Sequence, residues 1–291
     1  MTALSSAALF RSAAGWVGSA RRSAWLRPQM VFAYVVLGAW LIVVLGVDLL
    51  APYDPFAVAG ERLMSPSAAH VLGTDSLGRD VFSRTLYGAR ESLPIATSAI
   101  AITVCVGLLL GGLAGYLGGV VDAVIMRIAD MTMAFPAILL AMAVAAGLGP
   151  GLGNALIAIV IVWWPIYARL VRGQVLSIKQ REHVEAAFAI GAGRWRTLTR
   201  HILPHARTPI LVNATMDLGQ MVILVASLSF LGLGAAPPSP EWGAMITDGA
   251  KNFYQPWVAA APGIAMVSVT LAMNVLGDGL RDAFDLRAGR S

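Results

Sequence analysis

A basic segment between two apolar segments carries the sequence EAAFAIGAGRWRTLTRHILP at residues 185–204. This segment, which we call the basic loop, extends from Arg169 to Arg207. It holds eight of the 21 Lys and Arg residues against two acids, Glu182 and Glu185. Because so long and so basic a stretch is held between apolar runs, it predicts a docking surface at the edge of a membrane protein.

The composition of the chain indicates a membrane protein. Hydrophobic residues make up 57% of the 291 residues and charged residues 13%, whereas a soluble domain is about a quarter charged. Six apolar runs reach or approach the length of about 20 residues that a membrane-spanning helix needs. They are residues 31–50, 93–117, 131–147, 155–171, 209–233 and 257–277. The sequence therefore predicts an all-α membrane protein with six transmembrane helices, since barrel strands would be half as long and would alternate in polarity.

The distribution of positive charge predicts how the chain is oriented in the membrane. Six spans place both termini on one side, and that side carries 16 Lys and Arg residues, the basic loop included, against five on the other. Since cytoplasmic loops are enriched in Lys and Arg, we expect both termini and the basic loop to be cytoplasmic. The isoelectric point near 9.8 then reflects membrane topology and does not indicate nucleic-acid binding.

We divide the chain into four parts. Residues 1–29 form an N-terminal cytoplasmic tail, and residues 30–92 hold the first transmembrane helix with an extracytoplasmic segment. Residues 93–281 form a five-helix core that contains the basic loop at about 172–208, and residues 282–291 form a cytoplasmic tail.

The extracytoplasmic segments have recognisable signals. The prolines of residues 51–55 are expected to end the first helix. Residues 73–80, GTDSLGRD, predict a turn that enters a short surface helix. Trp242, Tyr254 and Trp257 are typical of an aromatic belt at the membrane surface.

Small and charged residues near the second and third spans predict helix contacts. Glycines recur at spacings of four at Gly107, Gly111, Gly115 and Gly119. Such a stripe lets another helix backbone approach closely, which favours helix packing over a pore-lining role. Arg127 and Asp130 are three residues apart and are expected to pair on one helix face.

The fifth span has an unusual polar face. Asn213, Asp217, Gln220 and Ser227 recur at helical spacing, together with Leu224. Polar groups at this depth are expected to meet water or another polar helix and not lipid. A translocation path and a structural helix interface both remain open.

The sequence contains no pattern for covalent chemistry. It has no GxxxxGK[ST], HExxH or CxxC motif. His201 and His205 are four residues apart, but Pro204 lies between them and no carboxylate is close in sequence. We therefore expect no enzyme activity, no metal site and no cofactor bound by this chain.

The basic loop contains two helix-forming stretches, residues 174–190 and 194–201, separated by glycines. Ala186 and Ala187 keep one surface small enough to enter a groove of a partner, where Glu182 and Glu185 would offer carboxylates. Pro204 is expected to stop the second stretch and to direct the chain to the next span. The alternative is a helix on the membrane surface, drawn to anionic lipid by its arginines.

Here the residues resemble a known family. Glu185-Ala186-Ala187, Gly191 and Ile202-Leu203-Pro204 resemble the EAA loop of bacterial ABC importer permeases, although His201 stands where the usual pattern has isoleucine. Three further motifs resemble the C-type permease subunit of the dipeptide, oligopeptide and nickel importers. They are residues 73–84, residues 126–136 with Ala134-Phe135-Pro136, and residues 229–234, SFLGLG. The resemblance covers roughly residues 30–285.

The resemblance implies a type I ABC importer permease in the bacterial cytoplasmic membrane. Such a subunit moves short peptides, dipeptides or oligopeptides, by alternating access. Its implied partners are a B-type permease subunit, two ATP-binding subunits that hold ATP and Mg²⁺, an extracytoplasmic solute-binding protein and membrane lipid. By carry-over, the helix before Gly191 would be the coupling helix, with Glu185 as a polar contact, Gly191 as the turn, and Leu203-Pro204 as the return to the membrane.

Three alternative functions are kept. One is a permease for nickel or another small solute. Another is a proton-coupled secondary transporter that acts alone and depends on an intramembrane acid, for which Asp217 is the candidate. The last is a membrane scaffold without transport activity.

Overall fold

A computed structural model of the protein describes residues 27–189 and 191–288, and this part of the chain is helical, without a named strand. The helices are α1 Pro28–Leu50, α2 Val81–Leu117, α3 Gly119–Met133, α4 Ala137–Leu148, α5 Leu152–Lys179, α6 Glu182–Ala189, α7 Arg194–Thr197, a π-helical turn Leu198–Ile202, α8 Leu203–Phe230, α9 Trp242–Lys251 and α10 Trp257–Ala288. The prediction of an all-α protein is confirmed. Most of the predicted N-terminal tail, and the last three residues of the C-terminal tail, lie outside the described residues.

Five helices are long and apolar enough to cross a membrane: α1, α2, α5, α8 with the turn before it, and α10. The predicted span at 131–147 is not one straight helix. There α3 and α4 meet at an angle of 94°, and only the two together could make a sixth crossing. The break lies at Phe135-Pro136, because proline clashes with the carbonyl four residues earlier and disfavours helical backbone in the residue before it.

Helix α2 begins at Val81, twelve residues before the predicted start of the second span at residue 93. The short surface helix predicted after residues 73–80 is in fact the first part of α2. Asp80 caps the helix, since its carboxylate accepts the backbone N–H of Ser83 at 2.8 Å. The apolar run predicts too short a helix, because the first turns of α2 are polar and contact segments that are distant in sequence.

Helices α2 and α5 pack in parallel along the glycine stripe. A Cβ atom at Gly107 would lie 2.3 Å from Cβ of Tyr167, and one at Gly111 would lie 2.3 Å from the carbonyl oxygen of Ala168. Gly115 is similarly close to Val175. Helix packing is therefore confirmed for these three glycines and the pore-lining reading is wrong for them. Gly119 differs, because it begins α3 at φ +55° with nothing within 4 Å of its Cβ position.

The segment between α1 and α2 and the helix α9 pack together over the ends of α2, α8 and α10. Trp242 is fully buried there and donates its indole N–H to the carbonyl of Thr85 at 2.9 Å. The predicted aromatic belt is thus wrong for Trp242. Trp257 is half-buried and Tyr254 is 89% exposed. We call this end of the molecule the outer end, and the end that carries α6 the loop end.

Candidate functional site

Helix α6 has one buried edge and one exposed edge. It follows α5 after a two-residue turn at Gln180-Arg181, in which Arg181 donates its N–H to Ile178 at 3.0 Å. Val184 and Ala187 are buried. Glu182, Glu185 and Ala186 are all exposed. The helix is thus fixed to the bundle by its apolar edge and offers two carboxylates and a small side chain on its free surface.

The turn after α6 depends on Gly191. Its φ of +85° lies in the left-handed region, where a Cβ atom is strained, although there is open space around it. Ala192 donates its N–H back to the carbonyl of Ala187 at 3.0 Å, which closes the end of the helix. The tight turn reverses the chain and lets α7 return beside α6.

The return to the bundle runs through a wide π-helical turn. Leu203 donates its N–H to the carbonyl of Leu198, five residues earlier, and α8 continues from there to Phe230. The prediction that Pro204 stops a helix is wrong, because Pro204 lies in the first turn of α8. Proline is tolerated there since its missing N–H has no partner to lose, and the wider turn relieves the clash with the preceding carbonyls.

Buried apolar side chains tie this return to the rest of the segment. Ile202 is fully buried, Leu203 is half-buried and Pro204 is exposed. Ile202 belongs to the same buried cluster as Val184 of α6 and Ile178 of α5. The apolar edge of α6, the end of α5 and the return segment thus share one buried cluster.

Several cations of the basic loop form contacts with neighbouring helices. Arg172 forms a two-point ion pair with Asp122, at 2.5 Å and 2.6 Å, which joins α5 to α3. Asp130 is paired with Arg169, so the predicted pair of Arg127 with Asp130 is wrong. Lys179 donates to the carbonyl of Tyr116 at 3.1 Å.

Other cations of the basic loop are exposed at the loop end. Arg181, Arg196, Arg200 and Arg207 are exposed there. Trp195, which the sequence analysis did not single out, is 65% exposed beside them. Its position directly after the glycine turn, flanked by arginines, is the signal that could have identified it.

The polar face of α8 contains one contact between helices. Tyr167 of α5 is buried and donates its hydroxyl to Oδ2 of Asp217 at 2.7 Å. Asn213 and Ser227 instead bond to carbonyls of their own helix, at 2.8 Å and 2.7 Å. Asn213 and Gln220 are exposed. The predicted face thus exists as a row of polar groups on α8, and among the residues that the structure describes only its Asp217 accepts a hydrogen bond from a neighbouring helix.

Comparison with known proteins gives a consistent result. A family model described as the inner membrane component of binding-protein-dependent transport systems matches residues 107–290. The chain is 44% identical over 265 residues to the probable D,D-dipeptide transport system permease protein DdpC of Escherichia coli K12, covering 90% of this chain and 89% of that protein. It is 45% identical over 255 residues to the dipeptide transport system permease protein DppC of Alkalihalophilus pseudofirmus, covering 84% of each.

A relative with a different solute in its name is nearly as similar. The nickel transport system permease protein NikC of Escherichia coli K12 is 42% identical over 261 residues, covering 89% of this chain and 94% of that protein. Among solved structures, the MetNI methionine ABC transporter in an inward-facing conformation has a chain that matches with a TM-score of 0.56 at 22% identity. That match covers 70% of this chain and 96% of the other, and it shows the fold alone.

Proposed function

The chain belongs to the inner membrane components of binding-protein-dependent transport systems, and from this membership we propose that it moves short peptides across the membrane. It is a permease component and not an enzyme. The choice of peptides is supported by its similarity to a D,D-dipeptide permease and a dipeptide permease over most of its length. The permease for nickel is the second candidate, since its identity is only slightly lower.

The surface that would receive the energy of ATP hydrolysis is the free edge of α6. Glu182, Glu185 and Ala186 are exposed there, while Val184 anchors the opposite edge. This arrangement fits a short helix that lies in a groove of an ATP-binding partner, with its small side chain allowing close approach. Movement of the partner would then displace α6 as a unit, because the glycine turn and the buried apolar contacts leave it little freedom to yield alone.

The displacement would reach the membrane through α5 and α8, between which α6 lies in the sequence. These two helices carry the Tyr167–Asp217 hydrogen bond. A change in their relative tilt would open the polar face of α8 to one side of the membrane and then to the other. Such alternating access is an equilibrium between two states that ATP and solute bias from distant sites.

The same geometry supports the partners and the orientation that we propose. The loop end would face the cytoplasm and two ATP-binding subunits that hold ATP and Mg²⁺, in agreement with the excess of Lys and Arg on that side. The outer end would face an extracytoplasmic solute-binding protein. The exposed polar side chains Asn213 and Gln220 are costly against lipid. We therefore place a B-type permease subunit opposite α8, with the translocation path between the two.

Charge reversal at Glu185 tests this function. Glu185→Lys should abolish peptide uptake by the reconstituted complex while the protein still inserts and is recovered in the membrane, because the side chain is exposed and its loss costs no packing. The matched control is Glu61→Lys, which reverses an exposed acid in the outer segment. Uptake at the normal rate in both variants would contradict the proposed role of α6. The peptide used in this assay is the dipeptide dialanine. If the unmodified complex takes up nickel and not dialanine, the second candidate function, a nickel permease, is favoured.

A further inference from the structure

The outer end contains a small cavity outside the surfaces described above. It has a volume of about 330 Å³ and lies between the turn of residues 73–80, the loop before α9 and α9 itself. Ligand pockets in proteins begin at about this size. Its charged lining residues are Asp75, Arg79, Arg84, Asp248 and Lys251.

The side chains of Arg84 and Asp75 are already engaged in contacts within the protein. Arg84 donates to the carbonyls of Pro55, at 2.6 Å, and of Ser239, at 3.2 Å. Its Nε also lies 3.3 Å from Oδ2 of Asp75. Asp75 in turn accepts the Nε–H of Arg79 at 2.7 Å. These contacts fix the turn against the loop before α9 and leave neither group free for a ligand.

The guanidinium group of Arg79 has N–H donors that the described residues do not engage. Its side chain is only 9% exposed, and of its five guanidinium N–H donors only Nε–H is bonded to a residue that the structure describes. Within the described residues the terminal Nη groups therefore have no hydrogen-bond partner, and Arg79 lines the wall of the cavity. A guanidinium group with unused N–H donors can bind a carboxylate through two parallel hydrogen bonds, so this end of the cavity suits a carboxylate.

The α9 side of the cavity carries one positively charged and one negatively charged side chain. Lys251 is exposed, and within the described chain it has no hydrogen-bond or ion-pair partner. Asp248, one turn earlier, accepts the backbone N–H of Ser76 and the amide of Asn252 at 3.3 Å each. Both hydrogen bonds are long, so the Asp248 carboxylate can still accept a stronger hydrogen bond from a charged donor.

We infer that this cavity binds a small zwitterion, a molecule with one carboxylate and one ammonium group. Arg79 and Lys251 would hold the carboxylate, and Asp248 would accept from the ammonium. The inference goes beyond the proposed function, because the site is argued from its own side chains and can be tested without transport. The choice of a dipeptide as the probe and of the permease–ATPase complex as the material rests on the proposed function.

The test measures binding of radiolabelled dialanine to the complete permease–ATPase complex in nanodiscs, without the solute-binding protein. We expect saturable binding that Lys251→Gln and Asp248→Asn each weaken by about tenfold or more, as for the loss of a hydrogen bond between charged groups. The control is Arg62→Gln, which removes an exposed cation of the same outer segment and should leave binding unchanged. N-acetyl-dialanine, which lacks the ammonium group, should compete poorly with dialanine, and Asp248→Asn should remove that preference.

Three results would overturn the inference. They are absence of saturable binding, binding that neither variant weakens, and equal competition by N-acetyl-dialanine. If the true occupant of the cavity were an acidic side chain of a docked protein, dialanine would show no saturable binding. Peptide uptake through the solute-binding protein is measured in parallel. Intact uptake without dialanine binding would remove this site and leave the proposed function standing.

Discussion

Asp217 is the acid on which a proton-coupled mechanism would depend. Its Oδ2 accepts the hydroxyl of Tyr167 at 2.7 Å, and the residue is half-buried in α8. An asparagine at this position keeps an oxygen that can accept the same hydrogen bond, but it cannot carry a proton. The substitution therefore separates a polar positioning role from proton transfer.

For Asp217→Asn we expect peptide uptake that still requires ATP and persists in proteoliposomes without a proton gradient. Uptake of labelled dialanine, with ATP enclosed and a protonophore added, measures this. Glu185→Lys serves as the comparison, since it should lose uptake under the same conditions. Uptake that disappears in Asp217→Asn and follows the proton gradient in the unmodified protein would favour the secondary transporter.

Glu241 is a buried carboxyl group at the outer end. Burial raises its pKa, and hydrogen bonds from the backbone N–H groups of Gly243 and Ala244 and from side chains including Ser92 oppose the rise in part. The folded protein thus binds this proton more tightly than the unfolded chain does. Its contribution to stability is fully present below the ordinary pKa of about 4.3 and is lost as the pH rises through the raised pKa.

Replacing Glu241 with glutamine should remove this pH dependence. The unfolding temperature of the unmodified protein should fall as the pH rises above about 4.3, whereas that of Glu241→Gln should stay flatter over the same range. Thermal unfolding in detergent at a series of pH values measures the difference. Parallel pH profiles in the two proteins would show that Glu241 does not titrate in this way.

At the scale of elements, the α2–α5 pair is closely packed along the glycine stripe. A methyl group at Gly111 would lie 2.3 Å from a backbone oxygen of Ala168, so the helices must separate to admit it. Gly111→Ala should lower the free energy of unfolding by about 1–3 kcal/mol, the usual cost of overpacking. Unfolding in denaturant checks this.

The matched control is Gly147→Ala, because Gly147 lies within helix α4 and has nothing within 4 Å of its Cβ position. It should be neutral or gain up to about 1 kcal/mol from the higher helix propensity of alanine. Equal effects of the two alanines would contradict the packing derived from the glycine stripe.

The elements show what the sequence could reveal and what it could not. Hydropathy located five spans, because a helix in lipid must be apolar along its length. It could not locate the bend at Phe135-Pro136, since the two helices that flank the break together have the hydropathy of a membrane span. Helix α2 was predicted too short because the partners of its polar first turns, such as Pro55 for Arg84, are fixed only by the tertiary fold.

The candidate site was predictable to a similar degree. The glycine turn at Gly191 and the exposed acids of α6 follow from residue type and spacing. The use of Arg172 and Lys179 inside the bundle does not, because sequence alone cannot distinguish a cation that meets a partner from one that meets Asp122 or a helix end. Tyr167 was missed for the same reason, since nothing near it in sequence indicates Asp217.

The whole molecule has two ends of opposite character. The outer end is a packed polar cap in which Asp75, Arg84 and Glu241 are buried and bonded. The loop end carries α6 on a narrow apolar edge, with acids, arginines and Trp195 exposed. A packed cap at one end and an exposed short helix at the other are expected if force is applied at the loop end and solute arrives at the outer end.

The central claim is that α6 contacts an ATP-binding subunit and passes its movement to α5 and α8. Cross-linking tests it most directly, with a single cysteine at Ala186→Cys in a protein whose natural Cys105 is replaced by alanine. The control places the cysteine at Val71, which is 62% exposed in the outer segment. We predict that only Ala186→Cys cross-links to a cysteine-bearing ATP-binding subunit, that the cross-link stops dialanine uptake, and that reduction restores it. No cross-link at Ala186, or a cross-link that leaves uptake unchanged, would contradict the claim.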